Sequence, residues 1–171
     1  MNVPIFRVVP LPAECGRQTR ELFNSGSVPL DKYFKENVTQ DTRNNLAKCY
    51  VAMSGDRIAG FYTLSASNID LRDLSEDRQK RLRYRQIPSV RIGRLAVDLE
   101  FQMKGLGGEL LADALTRIMD GPIGVYALEV DAKDETAKGF YLHHGFIPLE
   151  SRAYTLYLPV ADAMVSRAES E

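Results

Sequence analysis

The most informative segment of this chain is Gln102-Met103-Lys104-Gly105-Leu106-Gly107-Gly108. It follows a strand-like run, Val90 to Asp98, and precedes a helical run from Glu109 to Asp120. Glycines let backbone N–H groups approach a ligand closely, and the N-terminus of the following helix adds the positive end of its dipole. The stretch therefore predicts a loop that binds a pyrophosphate, and hence a phosphorylated cofactor.

Two better-known phosphate loops are excluded by this sequence. A Walker A loop needs Gly-Lys followed by Ser or Thr. A dinucleotide-binding fingerprint needs a further glycine three residues after Gly107, where Leu110 stands. What remains is the pattern Gln-x-x-Gly-x-Gly between a strand and an amphipathic helix, with Lys104 as a cation at its edge. An ordinary glycine-containing turn would give the same pattern, so a second motif is needed to decide.

Length and composition predict one globular domain. The chain has 171 residues, of which 44% are hydrophobic, and this is enough to bury a sizeable core. We expect a single domain over residues 1–160 and a polar C-terminal tail over residues 161–171. The formal net charge of -1 gives no whole-chain attraction to nucleic acid or to a membrane. The sequence lacks a signal peptide and any apolar stretch of about 18 residues, so we expect a cytoplasmic protein without membrane contact.

No metal site is expected. Cys15 and Cys49 lack the paired spacing of a disulfide framework or of a thiolate metal site. His143 and His144 have no partner ligand at metal spacing, and His144 could serve as a cation at a helix C-terminus. The predicted cofactor chemistry is therefore free of metal.

Hydrophobic periodicity predicts a mixed α/β (α+β) fold. Strands are expected at Ile5–Val9, Lys48–Met53, Ile58–Ser65, Val90–Asp98, Ile123–Val130 and Tyr154–Leu158. Helices are expected at Leu30–Asn45, Ser75–Leu82, Glu109–Asp120 and Glu135–His144. The alternation of strands and helices argues for a mixed central sheet flanked by helices.

A second motif lies one strand beyond the glycine loop, at Ala137 to Phe146. It contains Phe140-Tyr141-Leu142-His143-His144-Gly145-Phe146, and it has the form Ala-x-x-Phe-Tyr-x-x-x-Gly-Phe. Together with the glycine loop, and over about Val90 to Leu158, it resembles the acetyl-CoA core of the Gcn5-related N-acetyltransferases (GNAT). The resemblance implies the GNAT fold and the transfer of an acetyl group from acetyl-CoA to an amine.

Nearly the whole chain resembles a narrower group, the acetyltransferase toxins of type II toxin–antitoxin systems. The segments that carry this resemblance are Leu30–Phe34 with Gln40-Asp41, Ile58–Ser65 and Ile92–Asp98. The resemblance implies acetylation of the α-amine of aminoacyl-tRNA, which blocks translation, and neutralisation by a ribbon-helix-helix antitoxin. It also implies that operator DNA is contacted only through the antitoxin complex, and a homodimer is compatible with it. One departure is Met103, because these toxins often have glycine at that position.

The resemblance also assigns residues to acetyl-CoA. It implies that the pantetheine arm docks against the backbone of Leu95, Ala96 and Val97, whose N–H groups could meet the thioester carbonyl. From the residues alone these three form an apolar strand whose side chains would serve the core. The remaining candidates for cofactor binding are the loop residues and one aromatic residue, namely Gln102, Met103, Lys104, Gly105, Leu106, Gly107, Gly108 and Phe140.

Tyr141 is the candidate catalytic residue. An α-amine titrates at about 7.7 to 8.0 in model peptides, so it is already substantially neutral near pH 7 and a strong general base is optional. The reaction does need a proton donor for the sulfur that leaves, and a phenol stays protonated at neutral pH. The resemblance places Tyr141 in this role. The alternative is a core aromatic residue, packed like Phe140 and Phe146.

A basic run marks the expected polyanionic substrate. Seven basic residues and no acidic residue lie between Arg78 and Arg94. Such a cluster suits phosphate contacts, although a solvated helix face or a patch for an acidic antitoxin tail would also explain it. The candidates for tRNA binding are Arg78, Arg81, Arg83, Arg85 and Arg91. Two other function classes stay open: an N-acetyltransferase acting on a small-molecule or protein amine, and a non-catalytic cofactor binder within a repressor complex.

Overall fold

Strands and helices alternate along the described part of the chain, residues 6–12 and 15–170, in this computed structural model. The strands are β1 (Arg7–Pro10), β2 (Lys48–Ser54), β3 (Arg57–Asp70), β4 (Gln86–Val97), β5 (Ala127–Asp131), β6 (Ile147–Pro148) and β7 (Thr155–Pro159). The α-helices are α1 (Arg17–Glu21), α2 (Val28–Glu36), α3 (Val38–Arg43), α4 (Glu76–Arg81), α5 (Leu106–Asp120), α6 (Glu135–His143) and α7 (Val160–Ser170). Two short 3₁₀ helices span Leu71–Asp73 and Leu99–Phe101.

The strands form one mixed sheet in the order β1-β2-β3-β4-β5-β7-β6. β1, β2 and β3 pair in antiparallel fashion, and so do β5, β7 and β6. β4 and β5 are parallel, with Ser89 opposite Ala127 and Ile92 opposite Val130. A parallel pair requires a crossover connection, which here contains α5. The mixed α/β prediction is confirmed.

The chain divides into two compact units, and each has its own hydrophobic core. The first comprises residues 1–65 and 93–114, and Phe23, Phe34 and Phe61 pack face to edge or stack at its centre. The second comprises residues 66–92 and 115–171, with a core cluster that includes Ile69, Leu74, Ile87, Ala127, Leu149 and Tyr157. The expectation of a single domain over residues 1–160 stays a prediction.

The single helix predicted at Leu30–Asn45 is wrong, because the structure has two helices that break at Asn37. The cause lies outside the segment. The Arg20 guanidinium is buried and donates from Nη1 to the carbonyls of Phe34 (2.7 Å) and Lys35 (2.9 Å). These carbonyls belong to the last turn of α2, where backbone acceptors lose their helical partners and a cation also meets the negative end of the helix dipole.

Other boundaries also differ from the predictions. Strand β3 runs five residues further, to Asp70, and β4 begins four residues earlier, at Gln86. Helix α5 begins at Leu106, three residues earlier than expected, and β5 begins at Ala127 because Ile123 is exposed in a turn after Gly121-Pro122. The predicted polar tail contains the helix α7. Part of the first predicted strand, at Ile5, lies outside the described residues. Every helix among residues 6–12 and 15–170 is too short or too polar to cross a membrane.

Candidate active site

Two side chains anchor the connection between β4 and α5. Gln102 donates from Nε2 to the carbonyls of Val97 (2.9 Å) and Ser25 (3.1 Å). Asp98 is 2% exposed, and its carboxylate accepts from the N–H groups of Glu100 (3.0 Å) and Asn24 (2.9 Å). Asp98 therefore caps the short 3₁₀ helix, and the loop is held from both the strand and a distant segment of the first unit.

The N-terminus of α5 presents free backbone donors. Glu109 makes the first intrahelical bond, from its N–H to the carbonyl of Gly105 (3.2 Å), so the N–H groups of Leu106, Gly107 and Gly108 have no partner within the helix. Gly105 has a φ of +81°, and no atom lies within 4 Å of the place where its Cβ would stand. The predicted loop residues thus form an open cradle of amide donors, and such a cradle fits a pyrophosphate.

The loop residues contribute in different ways. Leu106 offers only its N–H group, because its side chain is buried beneath the helix. Lys104 is exposed, with its ammonium 5.5 Å from the centre of the Phe101 ring. No carboxylate among the described residues forms a salt bridge with Lys104, so it can add positive charge to the cradle.

Met103 occupies a backbone conformation that favours glycine. Its φ is +62°, in the left-handed region, and its side chain is fully exposed. A residue with a Cβ pays about 1 to 2 kcal/mol for this conformation. The structure therefore explains why glycine suits this position, and it shows that the methionine side chain points away from the packed interior.

The backbone that should dock the pantetheine arm belongs to the end of β4. Ala96 is buried against the aromatic core of the first unit, and Leu95 and Val97 are half-buried. The side chains thus serve the core, as the residues alone predict. The role assigned to their backbone by the family resemblance stays a prediction.

Tyr141 lies on α6 in the second unit, and the C-terminus of that helix fixes it. The N–H of Gly145 donates to the carbonyl of Leu142 (3.1 Å), and the N–H of Phe146 donates to the carbonyl of Tyr141 (3.1 Å). Together with the φ of +89° at Gly145, these two bonds form a Schellman motif. The Phe146 ring packs edge-on against Tyr141, with centroids 5.4 Å apart, which is the hydrophobic contact that accompanies this motif.

The surroundings of Tyr141 favour the protonated form of its phenol. The residue is 8% exposed, and burial raises the pKa of Tyr141 to about 12. Phe140 is half-buried beside it, with ring centroids 5.2 Å apart, and also contacts the ring of His144. Burial and the neighbouring His143 lower the pKa of His144. The arrangement suits a proton donor.

The basic run divides into two groups in the structure. Arg81, Arg83 and Arg85 are exposed on the end of α4 and the segment that follows it. Arg78 donates to the Tyr126 hydroxyl and to Asp162, both at 3.2 Å. Arg81, Arg83 and Arg85 are therefore open to solvent and form no salt bridge among the described residues. Hydrogen bonds from Arg72 and, to a smaller extent, the charge of Arg85 lower the pKa of Asp70.

Arg91 is held by a buried carboxylate. It contacts Glu129, which is 0% exposed, at 2.8 Å and Asp131 at 3.1 Å. The same Oε1 of Glu129 accepts from the Ser67 hydroxyl at 2.9 Å. Sequence reasoning assigned Arg91 to tRNA and missed Glu129, because the pairing of β4 with β5 that brings them opposite each other is non-local.

A family model and individual proteins match this chain. The model for the acetyltransferase (GNAT) domain matches residues 18–160. A tRNA-acetylating toxin from Mycobacterium tuberculosis is 32% identical over 126 residues, which are 72% of this chain and 75% of that protein.

Two solved structures have the same fold. The toxin AtaT complexed with acetyl-methionyl-tRNAfMet is 28% identical, with a TM-score of 0.86 over 94% of this chain and 98% of that one. A mutant AtaT bound to the C-terminus of the antitoxin AtaR and acetyl-CoA is 25% identical, with a TM-score of 0.78 over 92% and 94% of the two chains. The chain belongs to the GNAT family, in the same group as the tRNA-acetylating toxin, and is an acetyl-CoA-dependent acetyltransferase.

Proposed function

We propose that this chain is the toxin of a type II toxin–antitoxin system, and that it acetylates the α-amine of aminoacyl-tRNA and thereby blocks translation. The observation that carries the choice of substrate is the exposed group Arg81, Arg83 and Arg85, with the 72% exposed Tyr84 among them. Exposed arginines suit contacts with phosphates, and an exposed aromatic ring suits an unstacked base. Relatives of the same family that act on or bind charged tRNA support this choice.

Acetyl-CoA supplies the activated acetyl group. The N–H groups of Leu106, Gly107 and Gly108, with the charge of Lys104, would hold its pyrophosphate. The backbone of Leu95 to Val97 would position the thioester and donate to its carbonyl oxygen. Phe140 would complete the contact with the cofactor through its half-buried ring.

Tyr141 would act as the general acid. The neutral α-amine forms a bond to the acetyl carbon, and the bond between that carbon and sulfur breaks. Tyr141 donates its phenolic proton to the departing sulfur. The amine nitrogen releases a proton to solvent, and Tyr141 is reprotonated from solvent. Because an α-amine titrates at about 7.7 to 8.0, no residue is required to remove its first proton.

The partners follow from the same proposal. A ribbon-helix-helix antitoxin would neutralise the enzyme in the cytoplasm, and it alone would contact operator DNA. The antitoxin complex of the related AtaT supports the existence of such a partner. The proposal is compatible with a homodimer.

Labelled acetyl-CoA and total charged tRNA test the proposal. Label should appear on the amino acid of aminoacyl-tRNA, and deacylated tRNA should receive none. Parallel reactions with a polyamine and with a peptide bearing a free N-terminus test the alternative small-molecule and protein acceptors. Transfer to those amines alone would reject the tRNA substrate, and no transfer to any acceptor would favour a non-catalytic binder.

A further inference from the structure

Arg94 forms a three-residue chain of contacts with Tyr33 and Asp41 in the first unit. Its guanidinium lies 3.6 Å from the centre of the Tyr33 ring, which is a tight cation–π contact. The Tyr33 hydroxyl donates to Asp41 at 2.9 Å, so the ring is fixed from its other end. Tyr33 and Asp41 lie on the consecutive helices α2 and α3, whereas Arg94 lies on β4, far from both in sequence.

The guanidinium of Arg94 has donors to spare. Its backbone N–H donates to the hydroxyl of the buried Thr63 at 3.1 Å, which fixes the strand where the side chain leaves it. Among residues 6–12 and 15–170, no carboxylate or carbonyl accepts from its side chain. Arg57 and Arg91, by contrast, each pair with two carboxylates. A half-buried, oriented arginine with unused donors is suited to bind an anion.

The position of Arg94 along β4 indicates which anion. It immediately precedes Leu95 to Val97, whose backbone we assign to the thioester, whereas the pyrophosphate cradle lies on the C-terminal side of those residues. The coenzyme's phosphates are therefore expected at one end of the strand segment. The incoming acceptor is expected at the other end, beside Arg94.

We infer that the Arg94 guanidinium, stacked on Tyr33, binds a phosphate near the acylated end of the acceptor nucleic acid. The inference rests on the proposed function, since it presupposes a nucleic-acid acceptor. The planar fork of the guanidinium can make two parallel hydrogen bonds to phosphate oxygens, which a lysine cannot reproduce. Arg94 would thus orient the acceptor for attack without touching the reacting atoms.

Paired acceptors test this inference. One is a 3′-aminoacyl-adenosine without phosphate, and the other carries a cytidylyl phosphodiester on the same aminoacyl-adenosine. Wild type should prefer the second in kcat/KM, and the preference should fall by about 10-fold or more in Arg94→Gln, with partial rescue in Arg94→Lys. With full aminoacyl-tRNA, the slope of log KM against log salt should fall by about 0.7 for one lost phosphate contact on a single strand.

Other outcomes are equally informative. An unchanged preference for the phosphodiester in Arg94→Gln would overturn the inference while leaving the tRNA substrate intact. A raised KM for acetyl-CoA, with the preference kept, would assign Arg94 to a phosphate of the coenzyme and would also overturn it. If wild type fails to acetylate aminoacyl-tRNA at all, the proposed function fails first. Thermal unfolding of each variant identifies any loss that comes from misfolding, and Tyr33→Phe, which keeps the stacked ring, supplies a second variant that should retain most of the preference.

Discussion

The N–H of Phe146 donates to the carbonyl of Tyr141 across the C-terminus of α6, and the rings of the same two residues pack edge to face. This double contact fixes both the backbone and the ring of Tyr141, while burial raises its pKa. The residue that we propose as the proton donor is therefore positioned by the motif that ends its helix. Its function and its local fold depend on the same short sequence.

Removal of the phenolic hydroxyl should abolish most activity without loss of the fold. Tyr141→Phe keeps the ring and both backbone bonds, and we expect kcat to fall by about 10²- to 10⁴-fold, as for loss of a general acid. Thermal unfolding and acetyl-CoA binding should stay near the wild-type values. Tyr154→Phe is the matched control, because that hydroxyl is exposed and donates to Glu135 on the surface. Equal kcat in Tyr141→Phe and wild type would remove Tyr141 from the mechanism.

The pH dependence of kcat/KM should show one rising limb. The acceptor amine becomes reactive as it loses its proton at about 7.7 to 8.0. Tyr141 must stay protonated to donate, and its pKa of about 12 keeps it so well above that range. We expect kcat/KM to rise through the titration of the amine and then to stay level up to about pH 10. A falling limb that begins at about pH 9, as a phenol with the ordinary pKa of about 10 would give, and that disappears in a variant of Tyr141 would show that its pKa is not raised.

Reversal of charge at the exposed arginines should weaken tRNA binding selectively. In a double variant with Arg83→Glu and Arg85→Glu, the affinity for tRNA should fall and its salt dependence should become shallower, because fewer counterions are released. Affinity for acetyl-CoA, measured by calorimetry, should not change. Arg17→Glu alters an exposed arginine outside the basic run and serves as control. Parallel losses for tRNA and acetyl-CoA would indicate a damaged fold.

We expect Arg91 to contribute to the stability of the fold rather than mainly to tRNA binding. Arg91→Met leaves the fully buried Glu129 carboxylate without its cation, and we expect a loss of about 3 kcal/mol in the free energy of unfolding. Replacement of both residues by Met and Leu should recover much of this loss, since no unpaired charge remains. Arg72→Met, which breaks the exposed pair with Asp70, should cost less than about 1 kcal/mol. Urea unfolding measures all three, and a small effect of Arg91→Met would contradict the structural role.

The backbone at Met103 should be more strained than it would be with glycine at this position. Met103→Gly relieves the cost of the left-handed conformation but makes the unfolded chain more flexible, so we expect a net gain of up to about 1 kcal/mol. Met103→Ala keeps a Cβ at the same φ and is the control that should give no gain. Chemical denaturation measures both variants. A gain with alanine equal to that with glycine would show that backbone strain is not the cause.

Local sequence predicted the helix ends that lie beside the candidate site. The glycines before α5 and Gly145 after α6 mark a helix start and a helix end, and the sequence placed both within a few residues. The predicted loop included Leu106 and the helical run was expected from Glu109, yet Leu106 is buried in the first turn of α5, which begins three residues earlier.

The features that the sequence did not predict depend on distant partners. Arg20, on the preceding helix α1, donates to a carbonyl in the last turn of α2. Glu129 on β5 forms a salt bridge with Arg91 on the parallel strand β4. The contact of Arg94 with Tyr33 likewise joins segments about sixty residues apart in sequence. Periodicity and motifs depend on residues that are close along the chain, so they do not predict contacts between residues that only the folded structure brings together.

Calorimetric titration with coenzyme A tests most directly the claim that the backbone N–H groups at the start of α5 bind its pyrophosphate. Pantetheine, which keeps the thiol arm of coenzyme A and lacks its pyrophosphate and nucleotide, is the comparison ligand. We expect saturable binding of coenzyme A and at least about 100-fold weaker binding of pantetheine, because several charge-assisted hydrogen bonds to the pyrophosphate are lost. Equal affinities for the two ligands, or no binding of coenzyme A by the folded protein at millimolar concentration, would contradict it.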